Sequence, residues 1–452
     1  MEVHSQGPMT GRAGRTLLRV ALVLLALLAL WGTARTGQFN PTDYVAWQND
    51  WTTVSHCLQI DEAPCAGVSK FPLAYLLNAG AAAWAHEADR TMLTALNLAA
   101  LLIPVLVVLA VQGRRGSAGA IYPYLVAVAL SPLPMFYVAS GALELQSAVF
   151  SGVYLGTFVL AWEDPAQSRG KAAAWIMVFS GLVFPLYKDT VAAVVCVGCL
   201  AVIWLRRHEL RAAWATREGR RAVNRTALLA TGPVVLALII SMHYNALRYD
   251  TPLPYGYMEE ARQTLPGWQK SGEFLLGSLF SPNGGVLVFW LFPITAALLA
   301  WRLEGRQPRR AALVAGVIIV LVSALAFSRW WAPFGWDSWG DRLLIPPAFA
   351  LLVASLVSLR RGNLEPVGRG KPRIVAALLL LPLLACSFFY ALAPYASSPG
   401  EAMAGSLWPG PECQRMQRAL PAEALAQGMA FWKGEIYYAC ARERMTHIPK
   451  PR

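Results

Sequence analysis

Apolar residues follow one another along this chain in long runs, and the charged positions fall mostly in the gaps between them. A run of about 20 apolar residues makes a helix about 30 Å long, the thickness of a bilayer's hydrocarbon core. Eleven runs approach that length and are predicted as transmembrane helices: roughly 17–35, 91–111, 119–138, 146–162, 173–187, 190–205, 226–246, 284–301, 311–328, 342–359 and 374–394. Those at 146–162, 173–187 and 190–205 are short for a span. A further stretch, 71–85, is too short to cross and reads as an interfacial or re-entrant helix. The pattern predicts an all-α polytopic membrane bundle. It has a basic N-terminal segment 1–16 and a helical domain 17–394 with outer loops 36–90, 247–283 and 329–341. A small outer tail, 395–452, follows. The first run reads as an uncleaved helix, because no clean small-x-small site follows it; Gly32-Thr33-Ala34 comes nearest.

Composition agrees with this pattern. Of 452 residues, 56% are hydrophobic and 14% charged, against about 25% charged in an average soluble domain, and mean hydropathy is +0.43. A disordered chain, a disulfide-framework toxin and an ordinary cytosolic enzyme are excluded. The net charge of +13 acquires meaning once it is distributed. With the N-terminus inside and the C-terminus outside, inner segments hold 22 Lys+Arg against 7 acids, and outer segments 15 against 19. Every inner loop satisfies the positive-inside rule. The basic balance therefore reflects topology and headgroup contact, and no nucleic-acid partner is expected.

The cysteines fit the same map. Cys57 and Cys65 fall in the first outer loop and Cys413 and Cys440 in the outer tail, while no inner loop holds one. Two outer disulfides, Cys57–Cys65 and Cys413–Cys440, are expected in an oxidising compartment. Cys196-Val-Gly-Cys199 lies inside an apolar helix and reads as packing. No Walker loop, dinucleotide fingerprint or HExxH motif is present, so no nucleotide cofactor is expected. No internal repeat stands out, which counts against a transporter built from paired halves.

Candidate chemistry concentrates in the outer loops. Asp43 and Asp50 are seven apart, with Trp47 between them on one helical face. One carboxylate could serve as general base for an acceptor hydroxyl while another held a divalent cation; the alternative is a helix cap beside interfacial tryptophans. Lys70 closes this loop, either as a cation at headgroup depth or as a snorkelling side chain. Asn245 and Arg248 emerge at the outer end of the seventh helix, where a guanidinium can grip a phosphate. The stretch 329–342 packs four Trp, two Asp and two Arg into 14 residues, more than an aromatic belt requires. Tryptophan faces there suit a sugar or a polyprenyl chain, and arginine a phosphate. Two acids stand at helix ends. Glu144 opens the fourth helix, and Asp189 follows Lys188, its ready partner. A lone acid at bilayer depth costs about 2.5–3.5 kcal/mol on insertion scales, which makes such residues functional candidates.

Taken in order, these segments resemble the GT-C class of membrane glycosyltransferases, closest to bacterial enzymes similar to lipid A sugar transferases and protein mannosyltransferases. An acid-bearing first outer loop with Asp43 follows helix one, and Lys70-Phe-Pro-Leu looks like the Lys/Tyr-x-Pro segment that ends it. Asn245-x-x-Arg248-Tyr-Asp-Thr-Pro-x-x-x-Gly256-Tyr257 is similar to the family's N-x-x-R-(F/Y)-G-x-P-x-x-x-G-Y, and Leu279-Phe-Ser281-Pro282-Asn-Gly-Gly285 to the L-x-S-P-x-x-G that follows it. Trp336-x-Ser338-Trp339-Gly340-x-Arg342-x-Leu-x-x-Pro346 looks like W-x-S-(W/F)-G-x-R-(Y/F)-L-x-x-x-P.

The resemblance implies a GT-C-like fold in a bacterial inner membrane, with the active site facing outward. It implies a polyprenyl-phosphate-sugar donor arriving from the bilayer, and an envelope lipid, glycan or protein as acceptor. The reaction would be an inverting displacement. Asp43 takes the role of base, with Asp50 as its alternative and Glu144 as the second-loop acid. Lys70, Arg248 and Arg342 become candidates for the donor phosphate, and Trp336, Trp339 and Tyr257 for stacking on sugar or lipid. Tyr44 follows Asp43 where many members have a second acid. A divalent metal remains an open element of the site. The competing expectation is a non-catalytic transporter or flippase, or an assembly protein, for lipid-linked sugars.

Overall fold

The computed structural model describes residues 72–73, 90–112, 144–163, 168–249, 251–253, 265–280, 307–330 and 342–358, with scattered positions in 121–138 and 285–296. Described helices are α1 (Arg90–Gln112), α2 (Glu144–Glu163), α3 (Ser168–Tyr187), α4 (Asp189–Leu205), α5 (Arg207–Ala215), α6 (Arg217–Tyr249), α7 (Trp268–Phe280), α8 (Gln307–Ser328) and α9 (Ile345–Val357), the last preceded by a 3-10 turn at Arg342–Leu344. Among the described residues there is no strand. Seven of the expected spans, from 91–111 through 342–359, coincide with α1, α2, α3, α4, α6, α8 and α9. Those at 17–35 and 374–394, and most of 119–138 and 284–301, lie outside the described residues, as does nearly all of 71–85.

Among the described residues, three helical segments are long and apolar enough to cross a membrane: Glu144–Trp162, Arg217–Leu247 and Ala311–Ser328. Asp189–Leu205 and Arg207–Ala215 form a fourth if taken as one span bent by 68°. Large apolar side chains stand on the outside of α3, α4, α6 and α8, among them Trp175, Leu200, Ile239 and Leu325. Water would penalise such a surface, whereas hydrocarbon does not. Pro104, Pro185 and Pro233 sit inside helices, as membrane bundles tolerate more readily than soluble proteins do.

At the centre is α9. All 13 of its residues are buried, consistent with a helix that is apolar on every face. Pro346 and Pro347 start it, where the missing N–H groups would be unpaired anyway. Its main neighbours are α2 and α8; α3 packs between α2 and α6, and α4 lies against α8. Contact with α2 is close because Gly152 and Gly156 face it. A Cβ on Gly152 would lie 2.6 Å from Val353 Cβ and 2.9 Å from the Ala350 carbonyl oxygen, and one on Gly156 would lie 2.7 Å from Val357 Cβ. This is the small-xxx-small arrangement by which helices approach where lipid gives no hydrophobic drive to association.

Gly152→Ala is expected to push α2 off α9 and cost about 1–3 kcal/mol. Gly232→Ala, with no atom within 4 Å of its added Cβ, is expected to be neutral or stabilising by up to about 1 kcal/mol. Thermal unfolding of both variants in detergent checks the pair, and equal melting behaviour would refute the contact.

Candidate functional site

Three helix ends converge on one carboxylate. Glu144 is the first residue of α2, Arg342 belongs to the turn that leads into α9, and Lys188 is the single non-helical residue between α3 and α4. Arg342 Nε donates to Glu144 Oε1 at 2.9 Å, and Lys188 Nζ reaches the same oxygen at 3.4 Å. These side chains are 6–13% exposed, so the charges are largely withdrawn from water, and each ion is tolerable only because its partner is there. Glu144 Oε2 is buried with no hydrogen-bond partner among the described residues.

The helix break at Lys188 explains its reach. Its backbone is extended (φ −163°, ψ 97°), so its side chain and that of Asp189, the first residue of α4, diverge. Asp189 Oδ2 accepts from Ser241 Oγ and Asn245 Nδ2 on α6, both at 3.3 Å, while Oδ1 is buried and unpartnered among the described residues. The expectation that Lys188 serves as the counter-ion of Asp189 is therefore corrected: Lys188 crosses to α2, and two neutral donors from α6 hold Asp189. Arg248 lies one turn beyond Asn245 on α6, which places its backbone near the same end of the bundle; its side chain is outside the described residues.

A second polar group adjoins α2. Gln146 Nε2 donates to Asn97 Oδ1 at 2.9 Å, and Asn97 Nδ2 to the Val138 carbonyl at 3.0 Å, so α1 is tied to the same end. Beside Lys188 opens an apolar cleft bounded by Val191, Val194, Ser323, Phe327 and Pro347, with about 20 Å³ of free volume, room for about one water molecule. Arg329, in the tryptophan-rich stretch, has a structural task. Its Nη1 donates to the Pro266 carbonyl and Ser271 Oγ, both at 2.9 Å, and its guanidinium lies 4.0 Å from the Trp268 ring centroid, tying α8 to α7.

Of the residues singled out from sequence, Glu144 and Arg342 are brought together from 198 positions apart. Asp43, Asp50, Lys70, Tyr257, Trp336, Trp339, Cys57, Cys65, Cys413 and Cys440 lie outside the described residues. Lys188 was legible only as a neighbour of Asp189; the available signal was a lysine at bilayer depth, where a cation needs a buried partner. Cys196 and Cys199 are both free thiols, in keeping with the packing reading. Glu144 is poorly suited to hold a divalent cation because two cationic side chains already occupy it. Among the described residues no group of three or more His, Cys, Asp or Glu side chains is assembled.

No family model, curated protein or solved structure matches the chain.

Glu144→Gln removes the countercharge of two mostly buried cations and is expected to destabilise by about 3 kcal/mol. Combining it with Lys188→Met should recover part of that loss. Melting of the singles and the double in detergent tests this, and strictly additive losses would show that the two residues are uncoupled.

Proposed function

We propose that this chain is a GT-C-type glycosyltransferase of about 11 transmembrane helices, with its N-terminus inside and its C-terminus outside. In this reading it moves a sugar from a polyprenyl-phosphate donor to an envelope acceptor at the outer face of a bacterial inner membrane. The observation that carries the reading is the meeting of Arg342, from the Trp336-to-Pro346 motif, with Glu144 and Lys188 at the end of the helix bundle. Positive charge at the mouth of an apolar bundle suits a ligand whose phosphate is polar and whose chain is lipid. The ionisable groups sit at helix ends, the position expected for outer-face chemistry. A transport path would call for such groups midway along the helices.

The proposed reaction has three requirements, and the chain's own residues supply each. Asp43, or Asp50 in its place, accepts the proton of the acceptor hydroxyl, whose oxygen then bonds to the anomeric carbon. The anomeric carbon's bond to the phosphate oxygen breaks, the electron pair leaves with the phosphate, and configuration inverts. Arg342 and Lys188, with Lys70 and Arg248 as further candidates, face the charge that develops on the departing phosphate. Glu144 holds Arg342 and Lys188 in place, and its unpartnered Oε2 can accept a hydrogen bond from a sugar hydroxyl. Trp336, Trp339 and Tyr257 supply stacking faces for sugar or lipid.

Asp43→Asn is expected to lower sugar transfer by about 10²–10⁴-fold with folding intact; near-normal turnover would remove Asp43 as base. Arg342→Ala should raise the KM for donor more than that for acceptor, and Arg342→Lys should restore folding before it restores donor affinity. An equal rise in both KM values would make Arg342 structural. For orientation, single cysteines introduced at 206–225 should react with an impermeant thiol reagent only from the cytoplasmic side. Labelling from outside would overturn the topology.

A further inference from the structure

The second concentration of charge has a different character. Seven arginines and two glutamates occupy 206–225, and no residue of α5 is buried. A nine-residue helix is too short to be stable alone in water, and α5, which meets α4 and α6 without burying a residue, leaves most of its surface free for an external one. The corner that carries it is nevertheless well built. The chain bends by 68° where α4 gives way to α5, so if α4 crosses a bilayer, α5 runs closer to the bilayer plane than to its normal. Gly219 N–H donates to Thr216 Oγ1 at 3.1 Å and Arg220 Nε to the Trp214 carbonyl at 3.3 Å. Gly219 also lies so close to the Ala213 carbonyl that a Cβ would not fit.

Side chains on this corner are divided as a water–lipid boundary requires. Trp204 and Trp214 are exposed, and the Arg207 guanidinium sits 4.5 Å from the Trp204 ring centroid. Leu200 and Ile203 continue the exposed apolar surface of α4 up to the bend. Arg206 is paired with Glu209, but Arg211, Arg217, Arg221 and Arg225 have no acidic partner among the described residues. We propose that the α4–α5–α6 corner is an anchor lying on an anionic lipid leaflet, with these four arginines at headgroup phosphates and Trp204 and Trp214 at the level of the glycerol backbone. The charge calls for a phosphate-rich surface, and the adjoining tryptophans and aliphatic side chains favour lipid over an acidic soluble protein. The proposal requires α4 and α6 to cross a bilayer and is independent of the glycosyltransferase reading.

The test is amide hydrogen exchange of the full-length protein in nanodiscs of phosphatidylcholine alone and of phosphatidylcholine with phosphatidylglycerol. Amides of 207–215 should exchange about tenfold more slowly in the anionic discs, while those of α2 and α9 do not differ. High salt should bring the rate in anionic discs to that in neutral ones. Replacing all four arginines with glutamine should abolish the difference, and replacing them with lysine should keep it. Equal exchange of the wild type in the two lipids would overturn the proposal, as would a difference that survives both salt and the glutamine variant. Because the lipid and salt comparisons use the wild type, they decide the matter even if a variant fails to insert. Sugar-transfer activity is not the readout, so the two proposals fail separately.

Discussion

A carboxylate that cannot leave its cations organises one end of this bundle. Glu144 sits where a charge has little access to water, and desolvation there would cost several kcal/mol for an isolated ion. Arg342 and Lys188 relieve that cost only if three chain segments stay in register: the start of α2, the break between α3 and α4, and the turn before α9. The interaction is a joint among helix ends, and it fixes where the otherwise featureless apolar α9 begins.

Along the rest of α9 the constraint is steric. Lipid offers apolar side chains as good an environment as the bundle interior, so helices stay together only where surfaces interlock. Gly152 and Gly156 remove the side chains that would hold α2 away, and the buried faces of Ala350, Val353 and Val357 fill the space. Polar fastening above and close packing below are complementary. The ion pairs alone would let α9 swing about one end, and the glycine contact alone would leave its register along α2 weakly defined.

The helices were legible because long apolar runs favour helix, and seven of the predicted runs coincide with described helices, three or four of which are long and apolar enough to cross a membrane. The sequence also marked Glu144, since an acid at that depth is costly without a partner, and Arg342 through its motif. Pairing was less legible. Lys188 and Asp189 are adjacent in sequence and opposite in charge, which suggests mutual neutralisation, yet one extended residue at a helix break sends them to different partners. The central position of α9 was hidden for another reason: every span is apolar, so hydrophobicity does not distinguish a helix surrounded by protein from one facing lipid. The Gly-xxx-Gly spacing in α2 was the readable sign of a close neighbour, although it does not say which helix that neighbour is.

The path of α4 and α6 relates the two charged regions. The 17 residues of α4 rise by about 25 Å, from Asp189 to the bend at Arg206, and α6 returns from Arg217 to Asn245, whose amide meets Asp189. Asp189 and Asn245 therefore lie at one end of an antiparallel pair and the arginine corner at the other. At the first end, charges are largely buried and each has partners within the protein, although one oxygen each of Glu144 and Asp189 is left unpartnered among the described residues. At the second, most arginines are exposed and, among the described residues, only Arg206 of the seven has an acidic partner, so the others depend on whatever surrounds the protein. Internal pairing fixes geometry, which a binding or reaction site needs; exposed like charge fixes orientation in a field, which a chain crossing a charged bilayer needs. The two demands call for opposite treatments of the same residue types, and one helical hairpin separates them by about the thickness of a hydrocarbon core.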